Sequence, residues 1–253
     1  MTDYYFYEHP LNEKMRLFLR FEFLWDQAQY HLNNDHEYSY RATISFLIEI
    51  LELTERGDIK SEVYKELDQK LVMLNHVLKY PDANKEDALQ IINKIEDMKD
   101  AINHIDNNFI AVLKSSQLLN TIRHRSSAPG GLLAFDLPEL QHWLRCPIEK
   151  KERRLQRWLS NFEVIASAIY FILWLNREWI DLKPAISVDG TYSYQMDHQA
   201  SCNLIRFGLN HDLHYFPEIS AGRHRFIIRF CKTDNEDKPS QAEEEVNFLI
   251  GMI

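Results

Sequence analysis

At Pro184 the spacing of the apolar residues changes, and this change constrains the fold more than any other feature of the chain. Upstream, apolar residues recur every three or four positions, the spacing that lines one face of an α-helix. Tyr64, Leu67, Leu71, Leu74 and Leu78 step in this way, as do Ile91, Ile95, Met98, Ile102 and Ile105. Downstream, the stretches AISVDGTYSYQM, CNLIRFGL, RHRFIIRFC and EEEVNFLIGMI alternate, the period of strands with one face buried. A run of helices followed by a run of strands predicts an α+β protein. The expected division is a mostly α-helical domain over 1–182 and a smaller, antiparallel β-rich domain over 183–253. A β domain of that size is expected to fold only against a helical neighbour.

Local signals set the expected elements. Asn12 can cap a first helix through EKMRLFLRFEFLWDQAQYHL. A second helix carries the stripe Ile44, Leu47, Ile48 and Leu51, and Gly57 ends it. Between the third and fourth helices, Pro81 is a stop and Asn84 with Asp87 a capping signal, which predicts an antiparallel helical hairpin. That hairpin either packs within the chain, the commoner arrangement, or forms a rod presenting the rest of the protein. A fifth helix is expected from about Asn108 to His124, followed by the loop RSSAPGG. The segment around 132–138 (LAFDLP) reads as extended and as a possible extra strand for the β domain. A short helix around PELQHWL and a long one from Glu149 to Ile180, apolar nearly all round at its centre, complete the helical part. Asp189–Gly190 is the strongest short hairpin signal in the chain.

Several function classes find no support. The chain carries 29 Lys+Arg against 38 Asp+Glu, a net charge of −9, which disfavours broad binding to nucleic acid. Cys146, Cys202 and Cys231 are odd in number and far apart, the pattern of a reducing compartment. MTDYYFYEHP lacks the basic and apolar regions of a signal peptide. The apolar run from Val164 to Leu175 is too short to span a bilayer. The expectation is a soluble, cytoplasmic protein without membrane insertion. No Gly-rich phosphate loop, G-x-S-x-G or H-E-x-x-H motif is present, so no enzyme activity and no cofactor are expected. His211-Asp212-x-His214 has no second cluster to complete a metal site and reads as exposed turn residues.

Arginine placement carries more information. Arg16 and Arg20 share a face of the first helix. Arg56 stands at a helix C-terminus, where a cation satisfies the last carbonyls and the dipole. Arg123 and Arg125 flank His124 before RSSAPGG, and Arg206 interrupts NLIRFGL, where its charge needs water or a partner. In RHRFIIRF, alternation puts Arg223, Arg225 and Arg229 on one face together with Ile227. Taken singly, each arginine is explained by exposure or an ion pair. As a group, the strand arginines suit recognition of anions, because the guanidinium fork binds carboxylates bidentately and stays charged. A nucleic-acid platform and a pocket for a small anionic metabolite are the alternatives.

The stretches YEHPLNEKMRLFLRFEFL, ERGD, SSAPGG…FDLPELQHWL and RFIIRF, in that order, resemble the ZapD family of bacterial cell division proteins. The resemblance runs from Tyr7 to Phe230 and is only one of helical character between Lys60 and Asn108. It implies a cytoplasmic homodimer at the division septum. Such a dimer would bind the C-terminal tail of the tubulin-like GTPase FtsZ and so crosslink and bundle its filaments. The matching positions for the tail are Arg56, Arg225 and Arg229, with Arg206, Arg123 and Arg125 as weaker counterparts. In the fifth helix, where relatives can carry further basic residues, the chain reads Lys114-Ser115-Ser116, so no contribution beyond Lys114 is expected there, and Arg223 falls outside the shared motif as a solvated rim residue.

Overall fold

The computed structural model describes residues 4–81, 84–196, 202–222, 224–233 and 238–253. Helices occupy the N-terminal part and antiparallel sheets the C-terminal part, so the α+β expectation holds. The chain divides into two compact units, Met1–Leu19 with Leu173–Ile253, and Arg20–Ile172. The β-rich unit thus includes the N-terminus as well as the C-terminal strands.

Helix α1 (Glu13–Leu32) starts where Asn12 accepts a hydrogen bond from the Met15 amide at 2.7 Å. Helices α2 (Glu37–Glu55), α3 (Ile59–Val77) and α4 (Lys85–His104) follow. Asp58 caps α3 by accepting from Ser61, and Asn84 caps α4 by accepting from Asp87. α3 and α4 pack on one another, burying Val63, Leu67 and Leu74 on one helix and Ile92, Ile95 and Ile102 on the other. Their true buried faces are each rotated by a residue from parts of the predicted stripes: Leu71, Ile91 and Met98 are only half-buried. Glu66 and Lys70 also enter the interior of this unit, with side chains 2% and 7% exposed and an Nζ–Oε1 distance of 3.6 Å.

The single fifth helix expected over Asn108–His124 is two short ones, α5 (Ala111–Lys114) and α6 (Gln117–Ser126). Ser116 is the cause: it adopts an extended conformation and accepts from the Leu119 amide, which restarts the helix. The segment around 132–138 is a correction. It forms consecutive turns, Leu133 donating to Gly130 and both Asp136 and Leu137 to Leu133, and among the described residues it joins no sheet. Gly131 approaches the Arg125 carbonyl so closely that a Cβ would lie 2.2 Å from its oxygen, and this pulls the chain back over α6 instead of letting it extend. Helix α7 (Pro138–Leu144) comes next, with Pro138 in its first turn.

The long helix expected from Glu149 to Ile180 is α8 (Ile148–Leu159) and α9 (Glu163–Trp179), separated by a 3-10 turn at Ser160–Phe162. Ile148–Trp179 is long and apolar enough to cross a membrane by length and composition, but 61% of its apolar window is buried inside the protein, as in a core helix.

The β-rich unit is built from two sheets. One has the order β1 (Tyr4–Pro10), β4 (Leu204–Asn210), β8 (Asn247–Met252), β2 (Lys183–Ile186); the other has β3 (Thr191–Gln195), β6 (Arg225–Thr233) and β5 (Phe216–Ala221), with β7 (Pro239–Gln241) also on β6. All pairings are antiparallel. Alternate residues of both sheets meet in one core, Ile205, Phe207 and Ile250 from the first and Phe226, Ile228 and Phe230 from the second. The rings of Phe230 and Phe248 lie 4.9 Å apart across it. The Asp189–Gly190 turn is present, both residues having positive φ (48° and 64°), as a type I′ turn demands. It closes only the bridge Val188–Thr191, however, because β2 and β3 then diverge into different sheets.

Candidate functional site

The six arginines singled out by the sequence fall into distinct settings. In the helical unit, Arg56 is the exposed C-cap residue of α2. Arg123, on α6, donates from Nε to Glu52 at 3.0 Å and places Nη2 2.9 Å from Glu55. Lys114 lies 3.7 Å from the same Glu55. Two carboxylates in the last turn of a helix face its negative dipole end, and these cations relieve that repulsion. The Glu55 hydrogen bond, and the neighbouring charge of Glu52 with it, raises the Arg123 pKa further. The structure therefore brings Arg56, Arg123 and Lys114 to one end of α2. Arg125 points elsewhere, 3.6 Å from Asp136 in the turns after α6.

Arg41, which the sequence reading passed over, braces those turns: it donates to the Leu132 carbonyl and to Gln141 while pairing with Glu37 at 2.9 Å. Only the i, i+4 spacing of Glu37 and Arg41 was visible beforehand.

In the β-rich unit, Arg206 lies on the face of β4 turned away from the sandwich core. Its Nη1 donates to the Arg177 carbonyl at 3.2 Å, its Nε is 3.8 Å from Glu8, and its guanidinium sits 4.5 Å from the Phe6 ring centroid. Glu8 also takes two hydrogen bonds of 2.8 Å from Arg177. Arg206 thus has its charge partner on β1, directly opposite in the ladder.

Arg225 and Arg229 are exposed on the outer face of β6, with half-buried Ile227 between them. Phe226, Ile228 and Phe230 hold this register by filling the core beneath. Arg229 meets Glu218 on β5 at 3.1 Å, with both side chains about half exposed (55% and 48%). Arg225 has no ion-pair partner among the described residues; Gln195 is opposite it on β3. Ser193 and Ser220 flank Ile227 on either side. The face thus offers two guanidinium groups, a small apolar contact and short hydroxyl side chains. An exposed cross-strand pair such as Arg229–Glu218 is worth about 0–1 kcal/mol, so a competing carboxylate can displace it. Arg223 lies outside the described residues.

Among the described residues no group of His, Cys, Asp and Glu is arranged to hold a metal ion. His211, Asp212 and His214 follow β4, and all three are exposed.

The family model described as "ZapD: Cell division protein" matches residues 19–229. The chain belongs to the ZapD family. It is 31% identical over 250 residues to the cell division protein ZapD of Methylococcus capsulatus, covering 99% of this chain and 98% of that protein. The ZapD protein of Shewanella oneidensis is 32% identical over 252 residues, with 99% and 98% covered, and that of Shigella boydii 30% over 244 residues, with 96% of each covered. ZapD proteins are named for a cellular process and not for a reaction. A role in cell division follows for this chain.

Proposed function

We propose that this chain acts as a homodimer at the division septum, in the cytoplasm, where it binds the C-terminal tail of FtsZ and crosslinks the filaments. The observation that carries this reading is the outer face of β6. Its two arginines are exposed, one is unpaired among the described residues and the other is held only by an exposed glutamate. An acidic, partly apolar tail offers carboxylates to Arg225 and Arg229 and a side chain to Ile227. On the helical unit, Arg56, exposed at the end of α2, is proposed as a tail contact in its own right. Arg123, Arg125 and Arg206 already have carboxylates of their own, and in this reading they position their neighbours or release those carboxylates only in exchange for the tail's.

The energetics suit a crosslinker. A charge-assisted hydrogen bond nets about 1.5–3 kcal/mol, so two arginines hold one tail weakly. Two such sites in a dimer raise the avidity on a filament through effective concentration, while each contact still exchanges quickly. Sedimentation of polymerised FtsZ with the purified protein tests the reading. Bundles should pellet with full-length FtsZ and should not with FtsZ lacking its C-terminal tail. Equal bundling of the tail-less protein would sink it.

A further inference from the structure

The densest cationic stretch of this acidic chain is KKERRLQR, residues 150–157, on α8. Two of its five cations are committed to the fold. Lys151 is buried, with Nζ over the Tyr40 ring and near the Leu144 carbonyl, and the Arg154 guanidinium stacks over Trp158. The other three, Lys150, Arg153 and Arg157, are exposed and spaced three and four residues apart, on one face of the helix. None of them makes an ion pair among the described residues, although Glu149 stands one turn before Arg153. Like charges at this spacing repel, so the face carries positive charge that no ion pair among the described residues takes up.

Arg153 and Arg157 also form one wall of a groove of about 550 Å³. Gln29 and Asn33, at the end of α1, and Gln156 and Ser160 bring amide and hydroxyl groups to it. We infer that this groove is a second anion-recognition surface, whose occupant is an extended Asp- and Glu-rich peptide segment of a partner protein. The guanidinium groups suit carboxylate side chains, and the amides can both donate to and accept from a peptide backbone. Glu163, on the same lining, repels a carboxylate there and so confines the acidic side chains to the α8 side. A lipid surface fits less well, because three of the four apolar residues of α8, Leu155, Trp158 and Leu159, are buried and Ile148 alone is exposed, too little to insert. A nucleic acid fits less well too: the three free cations are few for a polyanion facing a chain of net charge −9, and the groove lining carries no aromatic ring for stacking.

The inference does not rest on the FtsZ reading, and its test uses neither FtsZ nor the β6 face. In full-length protein carrying Arg225→Gln and Arg229→Gln, fluorescein-labelled hexaglutamate is titrated at low salt and followed by anisotropy. Binding is expected, and adding Arg153→Gln with Arg157→Gln should weaken it at least tenfold with the circular dichroism spectrum unchanged. Gln156→Glu, which leaves both arginines in place but sets a carboxylate in the groove, should weaken it as well and serves if the double arginine variant fails to fold. Binding that ignores these substitutions overturns the proposal. So does an absence of peptide binding, whether or not phosphatidylserine vesicles or duplex DNA are retained through Arg153 and Arg157.

Discussion

Arg123 at the end of α2 and Arg225 on the outer face of β6 are the same side chain in opposite settings. Arg123 bridges two glutamates that a helix C-terminus disfavours, so its charge is consumed inside the fold. Arg225, on a strand held in register by Phe226 and Ile228, has its charge left over. A paired arginine acts on stability and an unpaired one is available to a partner. Proximity to a family motif does not separate the two cases; the neighbouring carboxylates do.

The sharpest test of that rule lies where the pair is most deeply buried. Glu66 and Lys70 are nearly inaccessible, and replacing one removes the ion-pair contact of a charge held in a dry environment. Glu66→Ala should therefore destabilise the protein by about 3–5 kcal/mol, read as a lower urea midpoint. A shift of only a few tenths would mean that water reaches the pair, and the contrast between committed and free charge would lose its clearest case.

A smaller effect is expected at Arg123. Its side chain is 34% exposed, and Lys114 stays near Glu55 when it is removed. Arg123→Ala should cost about 1 kcal/mol, allowing for solvent screening and for the dipole of α2. Glu52→Gln with Glu55→Gln in the same background should recover part of the loss. No recovery in the thermal midpoint would show that the arginine acts through packing of its stem and not through these carboxylates.

The contrast was only half legible in the sequence, for a physical reason. Alternation is a local property, so the shared face of Arg225, Ile227 and Arg229 could be read from nine consecutive residues. Ion pairs are not local: Glu8 meets Arg206 because β1 pairs with β4 from the far end of the chain, and YYFYEHP carries no alternation that would announce a strand. The strands downstream of Pro184 were legible for the same local reason, and β1, far upstream of it, was not. By contrast, the turns after Gly130 depend on a backbone approach that no spacing rule reports. The Asp189–Gly190 turn was foreseen but not its consequence, since strand partners are chosen by sheet packing and not by the turn. The cationic face of α8 went unread in the sequence, and only the structure separates its committed cations from its free ones.

The smallest effect on stability is expected at Arg225, and there the comparison is most exposed to failure. The side chain is exposed and makes no ion pair among the described residues, so Arg225→Glu should change the unfolding free energy by no more than about 0.5 kcal/mol. Its effect on a carboxylate-bearing partner should be large, because the substitution removes a donor and installs a repelling charge in its place. FtsZ bundling should fall at least tenfold while the thermal midpoint stays put. Arg123→Ala should show the converse, a lower midpoint with bundling largely retained at a temperature where the variant is folded. If both variants lost bundling and stability together, the two arginine settings would not be separable, and pairing would not be what distinguishes scaffold from binding surface.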